Sequence, residues 1–302
     1  MPAQPGIFAL GIPEHCYIEL SLREPGHLRQ LVSCLAALSG PETTIAGVSI
    51  VVGFRPEMWA RLAPEDSPPG VSSFQEIRGS GITLPATQHD AWFWIAGGTR
   101  DVVFDSALRV LDQVRDLATP ASEVTGWLYQ HKRDLTGFID GTENPPMLEA
   151  PGVATAPGGP GAGSSVLLYQ KWRHLDAWRD LSDEQQELVI GRTKPDSVEL
   201  AADRMPADSH VRRNVVEEHG TELRIYRRDT AFGGPTEHGT VFVGFCAEQR
   251  PLQTMLERMA GVGDGVRDAL TRYTTPLTGA YYLIPSLEGL SRFRPEADDL
   301  VA

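Results

Sequence analysis

Residues 150–164 read Ala150-Pro151-Gly152-Val153-Ala154-Thr155-Ala156-Pro157-Gly158-Gly159-Pro160-Gly161-Ala162-Gly163-Ser164. So much Gly and Pro predicts no regular structure. It splits a chain of 302 residues into two parts, each long enough for a domain. The stretch suits either a flexible connection or a functional loop. Its glycines match neither a dinucleotide fingerprint nor a phosphate loop. The expected organisation is an N-terminal module at 1–146, a connection at 147–165 and a C-terminal module at 166–302.

Outward from that stretch, both halves alternate strands and helices. On the N-terminal side, Tyr17–Leu22, Thr43–Phe54, Ala91–Ala96 and Val124–Tyr129 read as strands from their period of two or their β-branched and aromatic content. Pro25–Leu38 reads as a helix, as does Asp101–Ala118, where Leu108, Leu111, Val114 and Leu117 recur at helical spacing. On the C-terminal side, Val166–Trp172, Glu222–Arg227 and Thr240–Phe245 read as strands. Ser182-Asp183-Glu184-Gln185 forms a capping box for a helix that stops at Gly191. The stripe Leu252, Met255, Leu256 and Met259 reads as core packing. The fold class is α+β, with antiparallel-type strands and helices on one face in each half.

The net charge of −13 repels nucleic acid and anionic membrane surfaces, so neither is expected as a partner. Three widely spaced cysteines, Cys16, Cys34 and Cys246, suit reduced thiols rather than disulfides or a zinc knuckle. With no signal-like start and no run of ~18 apolar residues, the expected location is cytoplasmic.

Asp140 lies in Gly137-Phe138-Ile139-Asp140-Gly141-Thr142-Glu143-Asn144-Pro145. A lone Asp-Gly is ordinarily a turn, but glycines on both sides also let backbone approach a flat ligand. In Leu223–Asp229 a period of two puts Arg227 and Asp229 on the face that begins apolar. Either that face carries Arg227 inward, or the strand has ended and the arginines are solvated. Eight histidines are present, none paired at the spacing of a helical zinc site. His210 stands out weakly, and spacing alone does not select it. No serine elbow occurs. Asp140 with Glu143 could serve glycoside hydrolysis.

Several stretches together resemble the dye-decolourising peroxidase family, most closely its B-type bacterial branch. They are Gly137–Pro145, Gly161–Trp172, Trp178–Lys194, Asp208-Ser209-His210, Arg227 with Ala231-Phe232-Gly233, Gly239–Phe245 and Thr278–Pro285. Any one is weak, but their order is specific. The resemblance implies two ferredoxin-like modules with antiparallel sheets, the C-terminal one holding most of a haem b. It implies His210 as ligand to the haem iron, Asp268 as acceptor of that ligand's other ring N–H, and Arg192 as partner of a propionate. Asp140 and Arg227 would work on hydrogen peroxide, and a small reductant, a dye or a phenol would be oxidised by one-electron steps.

One departure stands out. Two residues after the arginine the branch carries Asn or Ser, whereas this chain has Asp229, which would supplement Asp140 or compete for Arg227. The rival reading from another class is a haem-binding, trafficking or deferrochelatase-like protein of the same fold. Relatives of this kind commonly form homo-oligomers, which the resemblance implies here. Some dock into encapsulin shells through a C-terminal tail; the acidic tail Phe293–Ala302 lacks an apolar docking motif, so encapsulation is not expected.

Overall fold

The computed structural model describes residues 1–38, 47–130, 132–218 and 220–294. His131, His219, Thr43–Ala46 of the expected second strand and the tail from residue 295 lie outside that range. Among the described residues the strands are β1 Glu14–Leu22, β2 Ser49–Phe54, β3 Ile77–Arg78, β4 Thr83–Leu84, β5 Ala91–Gly97, β6 Ala118–Trp127, β7 Ser165–His174, β8 Glu217–Glu218, β9 Thr221–Glu222, β10 Tyr226–Arg227, β11 Thr230–Gly233, β12 His238–Cys246, β13 Thr274–Pro276 and β14 Ala280–Ile284. The α-helices are α1 Leu28–Leu38, α2 Pro56–Leu62, α3 Arg100–Val114, α4 Ala150–Ala154, α5 Asp183–Ile190, α6 His210–Asn214, α7 Gln249–Ala260 and α8 Leu287–Ser291. Among the described residues no helix is long and apolar enough to cross a membrane.

The α+β class stands, and the strands of both halves join in one antiparallel sheet. Its order is β10-β12-β11-β6-β1-β5-β2-β14-β7-β13, and a further pairing of β12 with β7 closes it into a ring. Period-two alternation then gives each strand an inner and an outer set of side chains. Tyr17, Trp92, Trp94, Tyr169, Val243 and Tyr282 belong to the inner core. Outside, α1 and α3 cover Ile18, Leu20, Phe93 and Ile95, and α7 covers Val166, Leu168 and Cys246. All seven residues of β5 are buried because both of its faces are covered.

Several boundaries differ from expectation. The helix expected to reach Ala118 ends at Val114, and its buried face is Val103, Ala107, Val110 and Val114, leaving Leu108 48% exposed. Ala118 already belongs to β6, whose first residues pair with β1. A register shift at Glu19/Leu20 accommodates Pro120. The Glu222–Arg227 strand is broken into β9 and β10. The Gly/Pro-rich stretch contains α4 and then a closed loop in which Ala156 N donates to Ser164 O (2.8 Å) and Gly163 N to Ala156 O (2.8 Å). The capping box forms as read, and Gly191 ends α5 at φ 93°. The three cysteines are free thiols.

Closure depends on close approach of β12 and β7. A Cβ on Gly239 would lie 1.9 Å from the Trp172 carbonyl oxygen, so the strands would have to part. Gly239→Ala should therefore destabilise by on the order of 1–3 kcal/mol, seen as a lower midpoint in urea unfolding. An unchanged midpoint would show that the seam is not strained by a methyl group.

Candidate active site

The chain from Lys132 to Asp140 doubles back on itself. Arg133 pairs with Ile139, Asp140 N donates to Lys132 O (2.8 Å) and Asp134 N to Phe138 O (2.9 Å). Gly137 (φ +93°) and Gly141 (φ +73°) take left-handed conformations that other residues resist. A Cβ on Gly141 would also sit 2.9 Å from Asn144 Nδ2. That amide is occupied: it donates to Arg227 O (2.9 Å), while Asn144 Oδ1 accepts from Arg227 N (2.8 Å). One side chain thus imitates a neighbouring strand and fixes Arg227 beside the Asp140 loop. The motif's asparagine is the clamp.

Asp140, Arg227 and Asp229 line one pocket. The Asp140 and Asp229 carboxyls are hydrogen-bonded to each other, and Asp229 Oδ1 accepts from Val243 N (3.1 Å). Burial raises the Asp140 pKa, the Arg227 charge opposes this and the Asp134 charge adds to it. Asp229 is pushed well above the carboxylate range by burial and then by the charge of Asp140. Two carboxyls in contact cannot both ionise easily, and the stronger upward push falls on Asp229. Asp134 differs. Burial acts to raise its pKa, but His174 and the hydroxyl of Thr240 outweigh it and the net shift is downward. Thr240 donates to Asp134 and lies 3.0 Å from His174 Nε2.

His210, also in this pocket, begins α6. Its Nδ1 lies 2.7 Å from Asp268 Oδ2. Asp268 is wholly buried, and its Oδ1 accepts from Leu270 N (2.9 Å). A carboxylate at Nδ1 holds the proton there and leaves the Nε2 lone pair for a ligand. Asn214 Nδ2 lies 2.8 Å from Nδ1 and 2.9 Å from Nε2. An atom nearly equidistant from both nitrogens does not sit on the outward lone pair of Nε2. Among the described residues no group of three or more His, Cys, Asp or Glu side chains is placed to hold a metal ion.

Arg192 follows the left-handed Gly191. Its Nη1 donates to Ser197 O (2.6 Å), and Nη2 is held by Glu143 and by Glu199 (3.0 Å). Glu143 is therefore engaged with Arg192, and the carboxyl beside Asp140 is Asp229, which removes the glycosidase pairing. Arg133, unnoticed in the sequence, ties the two loops by donating to Gly137 O (2.7 Å), Lys194 O (3.1 Å) and Pro195 O (2.8 Å). Met255, Leu256 and Met259 line the pocket as well as the core, correcting their reading as packing alone. The pocket holds about 1080 Å³ of free space including its open mouth. Buried Nε atoms of Arg192 and Arg227 have no protein partner. Apolar walls, one free imidazole nitrogen and unpaired guanidinium donors fit a flat apolar group carrying a metal and carboxylates.

The family descriptions Dyp-type peroxidase, N-terminal and Dyp-type peroxidase, C-terminal match residues 32–128 and 131–289. A dye-decolorizing peroxidase of Mycolicibacterium paratuberculosis is 35% identical over 302 residues, covering 96% of this chain and 85% of the relative. One from Mycobacterium tuberculosis is 38% identical over 257 residues, covering 82% of this chain and 76% of the relative. Among solved structures, a dye-decolorizing protein from V. cholerae superposes with TM-score 0.88 at 34% identity, covering 96% of this chain and 99% of that one. A variant of DypB from Rhodococcus jostii in complex with heme gives TM-score 0.87 at 31% identity, covering 94% and 97%.

The Asn144 clamp predicts that Asn144→Ala unpairs both backbone groups of Arg227, costing about 1–3 kcal/mol. Hydrogen exchange at the Arg227 amide should accelerate together with a fall in the unfolding midpoint. Unchanged protection would mean that β10 is held by β12 alone.

Proposed function

The chain belongs to the Dyp-type peroxidase family, and from that premise we propose how its own residues run a haem peroxidase. Hydrogen peroxide and a reducing substrate are its reactants. The observation that carries the assignment of roles is the buried Asp140–Asp229 pair beside Arg227, in the same pocket as the Asp268-bound His210. We assign the haem chiefly to the second of two ferredoxin-like modules whose sheets have merged, because His210, Asp268, Arg192 and α7 all follow residue 165.

His210 Nε2 would hold the iron, and Asp268 makes the imidazole more electron-donating by accepting a hydrogen bond from its Nδ1–H. Arg192 Nε remains available to a propionate carboxylate. The haem supplies the redox chemistry, reductive cleavage of the peroxide bond followed by one-electron oxidation of the reductant. Asp140, ionised, takes a proton from one peroxide oxygen and returns it to the other, a role worth ~10²–10⁴ in rate. Arg227 favours the ionised Asp140 and stabilises negative charge on the departing oxygen. Asp229, protonated, donates to Asp140 and keeps the pair at a single negative charge. A carrier that only stored haem would need the His210 side and not this acid pair.

The reading is tested in steps. The purified protein should show a ferric haem absorption band that is lost in His210→Ala; a retained band would remove His210 as ligand. Asp140 works ionised and its pKa is raised, so the first peroxide step should quicken as pH rises through that pKa. In Asp229→Asn a neutral donor persists, so the acid limb stays; the second ionisation of the pair is gone, so the alkaline side flattens. Asp140→Asn should slow the step by ~10²–10⁴, and the double variant further. Equal stopped-flow rates for Asp140→Asn and the double variant would remove Asp229 from the proton chemistry.

A further inference from the structure

Inside the sheet ring, behind the strand wall that bears the pocket, lies a contiguous set of oxidisable rings. Tyr17 is 5.8 Å from Trp94, 6.3 Å from Trp92 and 5.9 Å from Tyr169, centroid to centroid. Trp92 is 5.8 Å from Tyr169 and 6.3 Å from Tyr282. All of these side chains are essentially inaccessible to solvent. The set begins near the pocket: Tyr17 Oη is 3.1 Å from Thr230 Oγ1, one residue beyond Asp229. On β7, Tyr169 points inward while its neighbour Gln170 lines the pocket, so one strand separates the rings from it.

At the far end this apolar interior holds a carboxyl group. Glu19 is 1% exposed, and its Oε1 accepts from Tyr282 Oη (2.7 Å). Glu19 Oε2, Trp92 Nε1 and Tyr169 Oη are buried without an aligned partner in the protein. Leaving three polar atoms unsatisfied around a buried acid is costly. Burial pushes Glu19 up to about 7, opposed by Tyr282, by the nearby Ser122 hydroxyl and by Lys171. Those groups and Tyr169 are what face it from β14, β6 and β7, with Trp92 from β5. Tyr282 is pushed well above the ordinary phenol range by burial and by Glu19, so it does not lose its proton while it keeps its electrons.

We propose that the ring interior is an electron reservoir ending at a proton-coupled pair, Tyr282 as electron donor and Glu19 as acceptor of its proton. The oxidant is the peroxide-oxidised haem of the peroxidase reading, on which the proposal rests. One electron passes from Tyr282 through Trp92 and Tyr17 and reduces that haem by one equivalent. The Tyr282 O–H bond breaks, its proton joins Glu19 Oε1, and a neutral tyrosyl radical remains. When a reductant returns an electron, Glu19 gives the proton back. The pair lets the protein hold an oxidising equivalent away from the pocket when reductant is scarce.

The test mixes haem-loaded enzyme with equimolar peroxide, without reductant, and freezes samples for electron paramagnetic resonance. Wild type should give a tyrosyl signal whose yield rises with pH through neutrality as Glu19 ionises. Tyr282→Phe, which removes one oxygen, should lose that signal. Glu19→Gln, which keeps the shape but not the base, should cut the yield several-fold and flatten its pH profile. An unchanged signal in Tyr282→Phe, or an unchanged yield and profile in Glu19→Gln, overturns the proposal. A flat pH profile in wild type overturns it without recourse to either variant. Peroxide consumption is followed in the same samples. Normal consumption with an unaltered radical defeats the reservoir alone, whereas no consumption by wild type defeats the peroxidase reading beneath it.

Discussion

Closure of the main sheet through the pairing of β12 with β7, from Gly239 opposite Arg173 to Cys246 opposite Val166, conditions everything else in the molecule. A closed antiparallel ring satisfies the backbone groups of its strands and leaves no free edge in the ring itself. It also assigns every alternate side chain to one of two compartments. On β7, Leu167 and Tyr169 go inward and Gln170 and Trp172 outward; on β12, Val241 and Val243 go inward and Thr240 and Phe242 outward. The two strands that close the ring therefore also form a wall of the pocket.

Within that pocket the governing problem is negative charge. Asp134, Asp140 and Asp229 share it with Arg227, and buried carboxyls demand partners or protons. Their surroundings resolve this in different ways. Asp134 stays ionised on Thr240 and His174, whereas burial and then the charge of Asp140 push Asp229 towards its protonated form. Pushing neighbouring acids apart in this way is how one site obtains both a base and a donor near neutral pH. The cost is carried by short-range devices, the Asn144 clamp and the Arg133 tie, which stop the charged loops from relaxing away from each other.

Much of the local structure was legible because its causes are local. The capping box at Ser182, the helix stop at Gly191 and the turn glycines around Asp140 follow from rules spanning a few residues. Arg227 and Asp229 share a face because a period of two survives even where the strand is short. Legibility failed where partners far along the chain decide. Ala118–Ser122 is a strand because β1 pairs with it, despite Pro120. The α7 stripe serves as pocket wall because α6 and β12 stand opposite it, which its spacing does not reveal.

The sequence by itself determined the α+β class and singled out Asp140, Arg192, His210, Arg227 and Asp229, which line one pocket, because motif order and hydrophobic period are properties of the chain. Only the tertiary structure decided what those residues are to one another. It brought Asp229 onto Asp140 and engaged Glu143 with Arg192. It seated Asp268 on His210 from 58 positions along the chain and put Glu19 against Tyr282 from opposite ends of the chain. The physical reason is that protonation and charge depend on distance and burial, and closure of the ring sets both.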